Sequence, residues 1–174
     1  MIEEYFGDGS KFGCSIRYSH EDSPLGSGGA LWSASEFLED EFLYINGDDY
    51  LEIDYTELIN AFHNQNVSAM VAVREDARGR LDIEKKTYRV IDFVSESNLY
   101  LHYLDCGTKV FKKTIIDMID PCYPFVLEQS LWPILIEKKQ LYIFPFMSKN
   151  FGIDTFEKLT EFKLWLKQQK YSNN

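Results

Sequence analysis

Phe42-Leu43-Tyr44-Ile45-Asn46-Gly47-Asp48-Asp49 is the stretch that decides how this chain is read: four apolar residues in a row, then a polar turn. A short continuous apolar run suits a strand covered on both faces, as in a parallel sheet. In an open α/β sheet, ligands bind outside the carboxyl ends of strands. A carboxylate there, beside a glycine that lets a ligand approach the backbone, is well placed to hold Mg²⁺ against phosphates. The same letters also make a plain Asn-Gly turn with solvated aspartates, and the local sequence leaves both readings open.

Upstream, Pro24 to Gly29 is a Gly-rich loop that opens a predicted helix, Ala30 to Leu38, with Leu31, Ala34, Phe37 and Leu38 at helical spacing. Backbone N–H groups at a helix start favour an anion or a polar base edge. The loop is neither a Walker A motif nor GxGxxG, so an ordinary surface turn is the competing reading. Residues 2–6 read as a helical turn closed by Gly7-Asp8-Gly9, and Phe12 to Tyr18 alternates like a strand. Downstream, Asp54 to His63 is a predicted helix with Asp54 as N-cap and Glu57 three residues on. Val67 to Val73 is a predicted strand.

Alternation of strands and helices is the signature of an α/β sheet with mainly parallel strands. From Arg80 the rhythm changes to short strands with tight turns: Leu81 to Ile83, Tyr88 to Val94 and Leu99 to Leu104. Thr114 to Ile119 reads as helical. Leu127 to Ile136 reads as a helix that Pro133 should end or kink. Leu141 to Phe146 is a strand, and Phe156 to Gln169 a final amphipathic helix. No linker or repeat interrupts the chain, so residues 1–174 are expected to form one domain.

The chain has 174 residues, of which 45% are hydrophobic and 16% aromatic, which excludes disorder as a class. A net charge of −10 repels phosphate backbones and argues against nucleic-acid binding. It leaves room for a nucleotide held through a divalent cation. Cys14, Cys106 and Cys122 have no metal-site or disulfide spacing, and the N-terminus has no signal-peptide pattern. No apolar stretch is long enough to span a membrane, so the expected place is the cytoplasm. Three further features carry possible chemistry. Glu128 stands at a helix start, where it serves either the helix dipole or a sugar hydroxyl. Arg78 and Arg80 flank Gly79, as solvated loop arginines or as phosphate contacts. Cys106 reads as a packed thiol.

Taken in order, these segments resemble the sugar-1-phosphate nucleotidyltransferases. YFGDGSKFGCSIRYSHEDSPLGSGGAL is similar to that family's run ending in pLGTgGAl, and FLYINGDDY to its FlvlNGDsl. YRVIDFVSE stands where the family has grVxxFxEK. YLDCGTKVFKKTIIDMI resembles xxNxGiYvfxxxildxi, and PFVLEQSLWPILIEKKQLYIFPF resembles xfslExdlxPxLixxgxlxxyxx. FGIDTFEKLTEFKLWL resembles yDIGTPexyxxaxxxl.

The resemblance implies a Rossmann-like nucleotide-diphospho-sugar transferase fold with a mixed, mainly parallel sheet flanked by helices. It implies in-line attack of a sugar 1-phosphate on a nucleoside triphosphate, with Mg²⁺ and no covalent enzyme intermediate. By position, Leu25, Gly26, Gly28 and Gly47 would bind the nucleotide. Asp48 would be the catalytic, metal-binding carboxylate, with Asp154 as the second metal ligand. Gly79, Gly107 and Glu128 would border the sugar.

Three departures qualify this expectation. Met1 falls after roughly the first fifty to sixty residues of the family's pattern, so the triphosphate-holding GGxGTRL loop is missing and the domain reads as truncated. The family's Glu-Lys is Ser95-Glu96, with Lys85 or Lys86 as substitutes for the lysine. Gly152 aligns with the second metal aspartate, and Asp154 with the glycine two places on. Without its first strand the sheet should expose an edge, so a second copy or a partner chain is expected to cover it. Two functions follow from the resemblance: a nucleotidyltransferase, or an inactive relative that binds a nucleotide sugar or another protein.

Overall fold

The structure, a computed structural model, describes residues 1–94, 102–119 and 124–172. Five helices and eight strands follow one another as α1 (Ile2–Phe6), α2 (Gly26–Ser33), β1 (Glu41–Ile45), β2 (Asp49–Leu51), α3 (Tyr55–Gln65), β3 (Ala69–Glu75), β4 (Leu81–Glu84), β5 (Arg89–Phe93), β6 (Tyr103–Lys112), α4 (Leu127–Glu137), β7 (Leu141–Pro145), β8 (Asn150–Gly152) and α5 (Phe156–Ser172) among the described residues. Short 3₁₀ turns at Ser10–Phe12, Ser35–Phe37 and Lys113–Met118 join them.

Six strands form one sheet in the order β1-β6-β3-β7-β5-β4, and Leu81 of β4 also meets Tyr103 of β6, so the inner strands curl back on themselves. Helices cover both faces, as expected for a mixed α/β fold. The expectation of mainly parallel strands is corrected: among the described residues only β3 and β7 run parallel, and every other pairing is antiparallel. The reason is physical. A continuous apolar run reports cover on both faces, not strand direction. β3 illustrates this cover. Ala69, Val71 and Val73 pack into the larger core with Leu131, Trp132 and Leu135 of α4. Met70 packs into a second core with Leu58 and Phe62 of α3. β1 is less covered: Phe42 and Tyr44 pack against the larger core, but Leu43 and Ile45 are exposed and its outer edge is unpaired among the described residues.

Asp54 caps α3 by accepting a hydrogen bond from Thr56 N at 2.7 Å. Other local expectations change. Phe12 to Tyr18 is not a strand, because its backbone closes local turns: Cys14 N donates to Gly9 O and Ile16 N to Asp8 O. The helix expected from Ala30 begins at Gly26, inside the Gly-rich loop, and ends at Ser33. The helical turn expected at Thr114 is the 3₁₀ turn from Lys113. α4 passes through Pro133 without ending, its buried face of Leu127, Leu131, Trp132 and Leu135 holding it on the sheet. The first half of the expected strand Leu99 to Leu104 lies outside the described residues. The strand that the structure shows begins at Tyr103 and continues to Lys112.

The feature that positions the site is a small second sheet. β2 and β8 pair antiparallel, Asp49 against Gly152 and Leu51 against Asn150. α5 closes over it through Tyr50, Phe151, Phe162 and Trp165, whose rings lie 4.9–6.0 Å apart. The turn after β1 is thereby fixed against the segment before α5, and Ile153 N, 105 residues on from Asp48, donates to Asp48 O at 2.7 Å.

Candidate active site

β6 carries a bulge at its centre. Val71 opposes Lys109 and Val73 opposes Asp105, so two steps along β3 match four along β6. Such bulges re-aim side chains and often adjoin active sites. Gly107 sits in this one with φ +80. A Cβ there would stand 2.1 Å from Asp49 Oδ2 and 2.7 Å from Asn46 Nδ2, so only glycine lets the β1 turn close on β6. Asn46 N donates to Gly107 O at 2.9 Å, and Gly107 N donates to Asp105 Oδ1 at 2.9 Å.

The bulge turns Asp105 and Lys109 toward α4. Lys109, 1% exposed, donates to Asp105 Oδ1 at 3.0 Å and lies 3.1 Å from Glu128 Oε1. Its ammonium also lies over the rings of Tyr44 and Trp132, 5.2 and 6.0 Å from their centroids. Burial alone would lower the lysine pKa, but the charges of Asp105 and Glu128 hold it above the usual lysine range. A buried ammonium needs such partners. Asn46, Arg80, Gly107, Lys109, Glu128 and Trp132 are among the residues that line a cavity of about 180 Å³. The indole Nε1–H of Trp132 is fully buried and has no hydrogen-bond partner among the described residues.

Beside it, the Asn46–Asp49 turn carries two carboxylates of different character. Asp48 is exposed. Asp49 is half-buried and accepts from Asn46 Nδ2 at 2.9 Å; burial, opposed by that hydrogen bond, pushes its carboxyl above the usual aspartate value. Gly152, where the family pattern has an aspartate, stands between carboxylates. A Cβ on it would lie 3.4 Å from Asp49 Oδ1 and 3.9 Å from Asp154 Oδ1. Asp154 is exposed and ion-paired to Lys158 at 2.8 Å, a hydrogen bond that lowers its pKa. Among the described residues no cluster of three or more His, Cys, Asp or Glu side chains is poised for a metal. Asp48 and Asp154 are exposed carboxylates, the ligand type of Mg²⁺, which is commonly held by one or two carboxylates together with substrate phosphates.

A larger groove of about 560 Å³ adjoins the turn, lined by Asp49, Arg74, Arg78, Lys149, Asn150 and Gly152 among others. Arg78 is engaged by Asp76 through Nε and Nη2 at 2.9 and 3.0 Å, and Arg74 bridges Asp76 and Asn150. These contacts hold the Asp76 carboxyl well below the usual range. Gly79 is buried in the same turn, its N–H donating to Asp76 O, and the following Arg80 is exposed at the smaller cavity.

The Gly-rich loop is sewn to the segment before α4. Gly28 N donates to Phe125 O, Phe125 N to Leu25 O, and Leu127 N to Ser27 Oγ. Gly26 has φ +74, and a Cβ on it would stand 2.4 Å from Phe125 O. Leu25, Gly26 and Gly28 thus stand beside the start of α4, which carries Glu128. The cysteine expectation agrees with the structure: Cys106 is buried, and burial first, then Asp105, pushes its thiol up to about 12.

The structure therefore brings Gly47, Asp48, Gly107, Glu128 and Asp154 to one end of the sheet. Sequence reading missed Asp105, Lys109 and Trp132. Their signal was present: a lone lysine in the apolar run Cys106-Gly107-Thr108-Lys109-Val110-Phe111 has to find a counter-charge.

The chain is similar in sequence and in fold to known proteins. A mannose-1-phosphate guanylyltransferase catalytic subunit beta from Dictyostelium discoideum is 29% identical over 140 residues, 76% of this chain and 38% of that protein. A mannose-1-phosphate guanyltransferase from Candida albicans is 31% identical over 144 residues, 77% of this chain and 39% of that protein. The chain thus spans about two fifths of the length of these curated relatives. The crystal structure of HddC from Yersinia pseudotuberculosis shares the fold, with a TM-score of 0.75 and 23% identity over 92% of this chain and 71% of that one. HddC has also been solved in complex with GMP-PN. The model of the nucleotidyl transferase family matches residues 1–121, more than half of the sequence, and the chain belongs to that family.

Proposed function

We propose that this chain takes part in nucleotide-sugar synthesis, joining a nucleoside triphosphate to a sugar 1-phosphate with release of pyrophosphate. The observation that carries this reading is the cavity of Asn46, Gly107, Glu128 and Trp132 placed directly beside the Asp48 turn. A sugar ring seated in the cavity brings its phosphate toward the turn. Leu25, Gly26, Gly28 and Gly47 are the nucleotide-side residues of this reading, and Gly79, Gly107 and Glu128 border the sugar. Asp48 and Asp154 are the residues that would hold Mg²⁺, which supplies neutralisation of phosphate charge when bound. The chain's own part is positioning: β6 and α4 hold the sugar side, and the β2–β8 pairing holds the Asp48 turn.

The compartment of this reading is the cytoplasm; among the described residues no helix is long and apolar enough to cross a membrane. Its partner is a second copy or another chain seated on the free edge of β1, where Leu43 and Ile45 are exposed. One observation favours the non-catalytic alternative: Gly152 offers no carboxylate, and Asp154 is tied to Lys158. Pyrophosphate release decides between them, measured with a panel of nucleoside triphosphates, mannose 1-phosphate, glucose 1-phosphate and Mg²⁺. Turnover abolished by Asp48→Ala supports the enzyme. No turnover with every pair, together with a thermal shift by GDP-mannose, assigns the chain to a binding role.

A further inference from the structure

The inner end of the cavity has an unusual set of polar groups. Lys109 lines the cavity but is almost wholly buried behind the two carboxylates, which are the more exposed members of the group. Asp105 Oδ1 is used twice, by Lys109 and by Gly107 N. Its Oδ2 is ion-paired to the ammonium at 2.9 Å and has no other polar partner among the described residues. The indole N–H of Trp132, fully buried, has no acceptor among the described residues. Carboxylate oxygens only accept and an indole N–H only donates. A hydroxyl group does both, so adjacent hydroxyls satisfy this end of the cavity. A carboxylate group on the ligand cannot donate to Asp105 or Glu128. Asp105 and Glu128 against one ammonium leave one net negative charge at the triad itself, Arg80 being the other charged residue that lines the cavity. The cavity of about 180 Å³ has room for roughly six waters, the scale of one monosaccharide ring. Arg80, exposed and lining the same cavity, is available to an anionic group such as the sugar's phosphate.

We propose that the Asp105–Lys109–Glu128 triad makes this pocket selective for neutral, hydroxyl-bearing sugar rings and closes it to sugars that carry a carboxylate. Lys109 is the positioning residue: its ammonium, 2.9 Å from Asp105 Oδ2 and 3.1 Å from Glu128 Oε1, holds both carboxylates in place beside the ring. The sequence sets this triad apart from the pattern it resembles, which has NxGiY where this chain has Asp105-Cys106-Gly107-Thr108-Lys109. The proposal rests on the nucleotidyl-transfer reading only for placing a sugar in this cavity.

The test titrates the whole chain with mannose 1-phosphate, glucose 1-phosphate and glucuronic acid 1-phosphate by calorimetry or ligand-observed NMR. The neutral sugars are expected to bind about tenfold or more tightly than the uronic acid, like-charge juxtaposition being an effective way to reject a ligand. Glu128→Gln removes one charge at nearly constant shape and leaves Lys109 paired with Asp105. It is expected to bring the ratio down to a few-fold. Lys109→Met leaves two buried carboxylates without a counter-charge and is expected to lose the fold or the preference, so Glu128→Gln carries the decision. Equal binding of neutral and acidic sugars overturns the proposal, and so does an unchanged ratio in Glu128→Gln. Failure of all three sugars to bind overturns it too. A Mg²⁺-dependent thermal shift with GTP, run alongside, shows whether the broader reading falls with it.

Discussion

Placing one methyl group on Gly107 should damage the site's architecture in a way that can be dissected. Gly107→Ala puts a Cβ 2.1 Å from Asp49 Oδ2 and 2.7 Å from Asn46 Nδ2, on a residue at φ +80. Left-handed backbone costs an L side chain about 1–2 kcal/mol. Asp49 must also swing away, which breaks its 2.9 Å hydrogen bond from Asn46. A hydrogen bond to a charged group contributes about 1.5 kcal/mol at the lower end of its range, which suits a half-buried pair. The two together come to about 3 kcal/mol, and in a protein of this size each kcal/mol moves Tm by about 2–4 °C. The expected loss is therefore about 6–12 °C in calorimetry or thermal fluorescence. Asp49→Ala removes the closer of the two groups that are struck and leaves the Asn46 amide, the end of a side chain then free of its partner, to move aside. In that background, Gly107→Ala should cost only the backbone strain, about 1–2 kcal/mol, and the double-mutant cycle should show coupling of about 1.5 kcal/mol. A Gly107→Ala protein that melts within about 2 °C of the parent, or a cycle without coupling, refutes the claim that close approach fixes this glycine.

Two other outcomes are expected. Asp49 has a folded-state pKa raised above its ordinary 3.8 by burial, so folding penalises its ionised form. That penalty is full above the raised pKa and disappears as pH falls below 3.8. Asp49→Asn should therefore raise Tm at pH 7.5 and do so much less at pH 3.5; an equal gain at both would show that charge is not the cause. The free edge of β1 should drive association, since it is apolar and carries no proline, lysine or bulge to blunt it. Sedimentation should find an assembled species that Leu43→Lys/Ile45→Lys dissociates, and a monomeric parent chain at micromolar concentration would count against that interface.

Several parts of this architecture are local enough to be read from the chain. The apolar run 42–45 becomes a strand, and Asp54 caps α3 because its side chain reaches Thr56 N two residues on. Leu131 and Leu135 lie one turn apart on one face of α4, and that spacing survives Pro133. Strand direction was not legible, because antiparallel strands buried on both faces show the same apolar continuity as parallel ones. The apparent strand at Phe12 to Tyr18 had the right alternation, but its backbone groups bond within a local turn.

The sequence by itself determined the family's segments and their order, the acidic balance, and the turn Asn46-Gly47-Asp48-Asp49 that marks one end of the sheet. Those properties live in neighbouring residues or in composition, so no folding is needed to see them. Tertiary structure alone decided that Lys109 is a buried cation held by Asp105 and Glu128, that Asp49 fits against a bare Gly107, and that Gly152 stands between Asp49 and Asp154. Each of these joins groups brought together by the β6 bulge or the β2–β8 pairing. A charge in a strand states only that it needs a partner; which partner it finds is set by how the chain closes around it.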